Sequence, residues 1–135
     1  MGSARIRRPE QVDRGPVGVP GAAYAPDASL LVPVWGAILG AKAIGRYDAG
    51  VRAAFPGSRV TVLRHVEVGR IRAAEWVFEG VNAGPISLPE GLVSATNRRV
   101  SLHGASFLRF SAGRLILEEH RYYDFCSLLE QLGLS

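Results

Sequence analysis

Apolar residues recur along this chain at two spacings, and the changes between them mark its elements. In "GAKAIGRYDAGVRAAF", Ile44, Tyr47, Val51 and Phe55 form one stripe at helical spacing, which Pro56 and Gly57 end. Farther on the period drops to two. "SRVTVLRHVEV" and "RIRAAEWVFEGV" flank Gly69 and Arg70 and predict a hairpin. "RRVSLHGASFLRF" and "GRLILEEHRYYD" predict a second hairpin across "SAG", with Gly113 suited to a positive φ. The loop between the hairpins, "NAGPISLPEGLVSATN", carries two prolines and two glycines and is expected to run over the surface. At the end, Phe125, Leu128, Leu129 and Leu132 make a short helical stripe, with Asp124 placed to cap it and Gly133 to close it.

The first part of the chain is less regular. "SLLVPVW" has strand composition, with Pro33 marking an edge or a strand end, and a short helical turn is expected at "AAYA". Residues 1–22 are rich in Arg, Pro and Gly and show neither repeat, which predicts an irregular or disordered arm ahead of a domain at 23–135. Helix, strand, helix, two antiparallel hairpins and a closing helix make an α+β domain whose sheet must curl around something.

With 135 residues and 47% apolar content, the chain holds one core. No window approaches the roughly 20 uninterrupted apolar residues of a membrane span. "MGSARIRR" lacks the apolar block of a secretion signal, so cytoplasmic residence and no membrane partner are expected. The net charge of +4 rests almost wholly on arginine, with Lys42 the one lysine. These charges are scattered and not interleaved with aromatics, so no nucleic-acid partner is expected. Cys126 is the single cysteine, which excludes an internal disulfide. Its place in the last helix predicts a small buried hydrophobe.

Strand alternation sorts the candidate chemistry. Ala74, Trp76 and Phe78 share what must be the inner face of their strand, leaving Glu75 and Glu79 outside. Leu102, Gly104, Ser106, Leu108 and Phe110 point inward on another, leaving His103 and Arg109 outside. His65 shares a face with Leu63 and Glu67, opposite Val60, Val62 and Val66, and reads as non-catalytic. Three separated histidines without HxH or HExxH spacing predict no metal site. Neither a Gly-rich phosphate loop nor a GxSxG elbow is present. The last strand, "LEEHRYYD", offers two registers. Either Glu119, Arg121 and Tyr123 face inward, or Glu118, His120 and Tyr122 do.

"AAYAPDASLLVP", "RAAFPGSRV", "AAEWVFEGVNAGP" and "RRVSLHGASFLRFSAGRLILEEHRYYDFCSLLEQLGL" together resemble the SnoaL-like polyketide cyclases of the NTF2-like superfamily, over residues 23–134. The resemblance implies a cone, in which a strongly curved antiparallel sheet wraps over helices and encloses an apolar cavity, and it implies a homodimer through the outer sheet face. Two departures stand out. The family's first helix has no counterpart, since the Pro/Gly/Arg arm occupies its place. The cyclases' acid/base aspartate falls on Arg121 counting back from "SLLEQLG" and on His120 counting forward from "SAG", a disagreement that suggests a bulge. Their helper histidine falls on Ser106.

The function expected from these residues is cofactor-independent cyclisation or isomerisation of a hydrophobic, carbonyl-bearing small molecule through an enolate. A desolvated His120 would remove a proton, or Arg121 would hold the enolate oxygen, with Tyr122 or Tyr123 donating to it. Trp35, Trp76, Phe78, Ser106, Leu108, Phe110 and Tyr122 are the expected cavity and ligand-binding residues. A non-catalytic ligand-binding or dimerising protein is the alternative. An epoxide hydrolase, which needs an Asp-Arg-Asp set, is a third.

Overall fold

The computed structural model describes residues 10–12 and 23–134. The expected arm at 1–22 lies outside them except for 10–12, which form a strand, β1 (Glu10–Val12). Next come β2 (Tyr24–Val32), β3 (Gly36–Leu39), α1 (Ala41–Ala54), β4 (Arg59–Val68) and β5 (Ile71–Val81). A small hairpin of β6 (Ile86–Leu88) and β7 (Gly91–Val93) precedes β8 (Arg99–Phe110), β9 (Ile116–Tyr123) and α2 (Phe125–Leu132). Among the described residues, seven strands form one sheet in the order β1-β4-β5-β8-β9-β2-β3. The sheet is mixed, because β2 runs parallel to β9 while its other pairs are antiparallel.

The helical turn expected at "AAYA" is not formed, since Tyr24 and Ala25 already belong to β2. Pairing with both β9 and β3 outweighs local propensity there, and Ala28, Leu30 and Val32 alternate into the core. The β8–β9 turn also differs in detail. The positive φ falls on Arg114 (66°) rather than Gly113, and the Arg114 guanidinium lies over the Phe110 ring.

Two irregularities decide which side chains face inward. In β4 the pairing slips between Val62 and Arg64, so Leu63 is an extra residue. The slip moves His65 to the buried face with Val62 and Ala74, correcting the simple alternation that set His65 against Val62. In β9 the pairing slips between Glu118 and Ile116, opposite Arg109 and Phe110, which makes Leu117 the extra residue. This is the bulge that the two counts required. It precedes Glu118, so the count back from the helix holds, and Glu119 and Arg121 are buried.

Helix α1 packs against β2, β3 and β6, and α2 packs against β8. The Asp124 carboxylate accepts from the Ser127 N–H (3.1 Å), and Gly133 at φ 75° ends α2. Leu128 and Leu132 turn inward to Val100 and Leu102, and Cys126 is left exposed, contrary to its expected burial. Its position is off the helix's apolar stripe. Among the described residues no helix is long and apolar enough to cross a membrane.

Candidate functional site

A cavity of about 430 Å³ lies between α1, α2 and the concave face of the sheet. Its wall is mostly apolar, with Val51 and Phe55 from α1, Trp76 and Phe78 from β5, Leu102 from β8 and Leu128 from α2 among its residues. Gly104 makes room for one wall. A Cβ there would come within 2.4 Å of the Trp76 six-membered ring, so only glycine leaves room for the indole at this place. Trp35 also borders the cavity, from a tight turn in which its N–H donates to the Pro33 carbonyl (2.8 Å). The central residue, Val34, sits at φ 72°, a strained conformation for a β-branched side chain.

The polar side of the cavity is built around Arg121, which is 8% exposed. Its Nε donates to Glu119 Oε2 (2.7 Å), Nη1 to Asp48 Oδ1 (2.8 Å), and Nη2 to Asp48 Oδ2 (3.2 Å) and the Tyr24 hydroxyl (3.1 Å). Glu119 is fully buried. It accepts from the Tyr24 hydroxyl and, at 3.4 Å, from Ser106 Oγ, which itself accepts from Trp76 Nε1 at 3.0 Å. Burial alone would disfavour the arginine's charge, but Glu119 and Asp48 outweigh it and hold the pKa well above the usual arginine value. Arg121 is a permanent cation.

Tyr47 on α1 and Tyr123 on β9 also line the cavity, and each hydroxyl influences the other's proton. Burial raises both pKa values, for Tyr47 with help from Tyr123, so both hydroxyls keep their protons near neutral pH. Of two neighbouring hydroxyls, at most one O–H is spent on the other, which leaves one for a ligand. Arg121 is in a similar state. Of the five N–H donors a guanidinium carries, the bonds above leave one on Nη1 without an assigned acceptor.

The structure thus brings together Arg121 and Tyr123 from the expected set and separates them from His120. His120 lies on the outer face with Nδ1 3.2 Å from the Tyr122 hydroxyl and Nε2 3.7 Å from Glu118, and Glu118 also pairs with Arg109 (3.8 Å). Tyr122, expected at the cavity, is 54% exposed on that same face. Both follow from the bulge at Leu117, which fixes odd-numbered residues inward. Trp35, Trp76 and Phe78 line this cavity. Leu108 and Phe110 do not, since they pack with Ile116 in a separate apolar cluster. Ser106 sits behind the wall, joining Trp76 to Glu119.

Asp48 and Tyr24 were not singled out from the sequence. For Asp48 a signal existed, because it follows Ile44 by four residues and Tyr47 by one, placing a carboxylate on the buried helical stripe. Tyr24 gave none, since its partner lies 95 residues away.

No curated protein matches this chain. Among solved structures, a protein from Jannaschia sp. CCS1 assigned as a SnoaL-like polyketide cyclase superposes with a TM-score of 0.74 at 15% identity, covering 84% of this chain and 75% of that one. IdmH from Streptomyces antibioticus, assigned as a polyketide cyclase, gives 0.66 at 25% identity, with 82% of each chain covered. A protein with a ketosteroid isomerase-like fold from Catenulispora acidiphila DSM 44928, in complex with trimethylamine, gives 0.66 at 24% identity over 83% of this chain and 78% of that one. The family model described as the SnoaL-like domain matches residues 10–118, and with the NTF2-like architecture around the cavity it shows that the chain belongs to the SnoaL-like domain family.

Proposed function

We propose that this chain is a cofactor-independent cyclase or isomerase that acts on a hydrophobic carbonyl compound through an enolate. One observation carries the reading: Asp48, Arg121, Tyr47 and Tyr123 converge on one side of an otherwise largely apolar cavity. Near them two carboxyl groups, Asp48 and Glu119, share one guanidinium, so the cluster has room to take up a proton. Asp48 is the carboxyl that reaches the cavity, and it is the base in this scheme.

An Asp48 oxygen takes the proton from the carbon beside the ligand's carbonyl. The C–H electron pair becomes a carbon–carbon double bond, and negative charge moves to the carbonyl oxygen. That oxygen lies between the spare N–H of Arg121 and the spare hydroxyl of the tyrosine pair, donors already in place before the charge develops. In isomerisation Asp48 returns its proton to a different carbon. In cyclisation the enolate carbon bonds to a second carbonyl carbon of the same molecule, and the new alkoxide takes the proton from Asp48. Glu119 is a positioning residue, since it orients Arg121 and does not line the cavity.

Epoxide opening fits less well. It needs two carboxyl groups facing the ligand, and Glu119 is sealed behind Arg121. The outer sheet face, where Phe107 and Tyr122 are exposed, is proposed to pair two copies of the chain. A strictly monomeric mass by light scattering at micromolar concentration removes that part.

The test is turnover of an aromatic polyketide ester and a panel of small ketones, together with deuterium exchange at the α-carbon followed by NMR. Asp48→Asn is expected to lose about 10²–10⁴-fold, Tyr123→Phe up to about 10²–10³-fold, and His120→Ala nothing. Equal background rates in all four proteins, with ligand-induced thermal stabilisation retained, would leave a binding protein without catalysis.

A further inference from the structure

The helix that supplies Asp48 has an unbalanced surface. Between Ala41 and Ala54 it carries Lys42, Arg46 and Arg52 as cations and Asp48 as its only anion. Asp48 stands four residues before Arg52, the spacing at which a helix normally pairs opposite charges. Both of its oxygens are instead taken by Arg121. Arg46 and Arg52 are therefore left without an ion-pair or hydrogen-bond partner among the described residues. Both are exposed, and both border the cavity.

Apart from these two, the charged groups that border the cavity among the described residues are Asp48 and Arg121, which are paired with each other. The cavity is thus polarised. Its interior is apolar around an internally paired ion cluster, and its solvent-facing border carries two guanidiniums with donors to spare. We infer that the ligand carries an anionic oxygen group, a carboxylate or a phosphate, which Arg46 and Arg52 hold at the border while its hydrophobic body fills the cavity. Guanidinium suits both groups, because its parallel N–H donors match two oxygens of either. The inference rests on the cavity being the ligand site, as the proposed function has it, and narrows the class of ligand.

The molecule provides its own reporter, since its two tryptophans, Trp35 and Trp76, both line the cavity. Binding of 2-naphthoate, 2-naphthyl phosphate and neutral methyl 2-naphthoate is measured by tryptophan fluorescence and calorimetry at low salt. The wild type is compared with the exposed-site double variant Arg46→Gln/Arg52→Gln, whose melting curve is recorded alongside. In the wild type at least one anion is expected to bind about tenfold more tightly than the ester, which two partly solvated ion contacts can supply. That preference should shrink with added salt and disappear in the double variant while ester affinity stays the same. Preference for the carboxylate alone identifies a free acid, and preference for the phosphate alone identifies a phosphoester handle. Ester binding as tight as both anions, or a preference that survives in the double variant, overturns the inference and leaves the cavity reading intact. Failure of all three probes to bind overturns the cavity reading itself.

Discussion

The two faces of β9 carry nearly the same chemistry in opposite surroundings. Inward stand Glu119, Arg121 and Tyr123, and outward stand Glu118, His120 and Tyr122. Each face has a carboxylate, a basic group and a phenol in consecutive positions of the pleat. On the outer face the Arg109–Glu118 and His120–Glu118 pairs are 3.8 and 3.7 Å long and open to solvent, where such pairs contribute little. On the inner face the same kinds of groups are held at 2.7–2.8 Å with little water to screen them. Residue type alone therefore does not make a site. What separates the faces is one extra residue at Leu117.

The buried side of the sheet is most sensitive to alkali. Burial raises the pKa values of Tyr24, Tyr47 and Tyr123, so the folded chain keeps three protons that the unfolded chain sheds above about pH 10. The stability they contribute is whole below that pH and drains as pH rises through and beyond it, at about 1.4 kcal/mol per pH unit for each tyrosine. Tyrosinate absorbance at these three is expected to appear together with loss of the folded circular dichroism signal. A gradual rise without unfolding would show that the inner face is wet.

Arg121→Ala comes next. It leaves Glu119 and Asp48 beside each other without a counter-ion, with Glu119 fully enclosed, and is expected to cost about 3–5 kcal/mol in urea unfolding. Gly104→Ala tests the same face through packing, since the new Cβ meets the Trp76 ring at 2.4 Å. A cost of about 1–3 kcal/mol is expected, with a shifted tryptophan emission as the indole moves. The smallest effect belongs to the other face, where His120→Ala is expected to stay within about 0.5 kcal/mol of wild type. A loss at His120 comparable to that at Arg121 would undo the division between the faces.

Much of this fold was legible in the pattern of residues. The β4–β5 and β8–β9 hairpins, α1, and the capped α2 followed from period and turn chemistry, because their contacts are local in sequence. The inward set on β5 and β8 was readable because those strands pair without interruption from Ile71 to Val81. Where a bulge intervened, alternation gave the wrong face for His65 and left His120 and Arg121 undecided. No residue type at Leu63 or Leu117 announces a bulge. The candidate site was half legible, since Arg121, Tyr123 and Trp76 could be proposed from one strand each. Asp48 and Tyr24 join them only through contacts between distant segments, which no local pattern encodes.

Those distances bear on how the protein comes together. Arg121 meets Asp48 across 73 residues and Tyr24 across 97, and the β2–β9 pairing that brings Tyr24 into place is the parallel one. Closing loops of that length costs entropy before any contact repays it, so high contact order assigns such pairings to late folding. The β4–β5 and β8–β9 hairpins can form first, with the β9 ions still hydrated. Desolvation of Glu119 and Arg121 waits for β2 and α1 to dock, so a chain caught short of that step has most of its sheet and no assembled ion cluster.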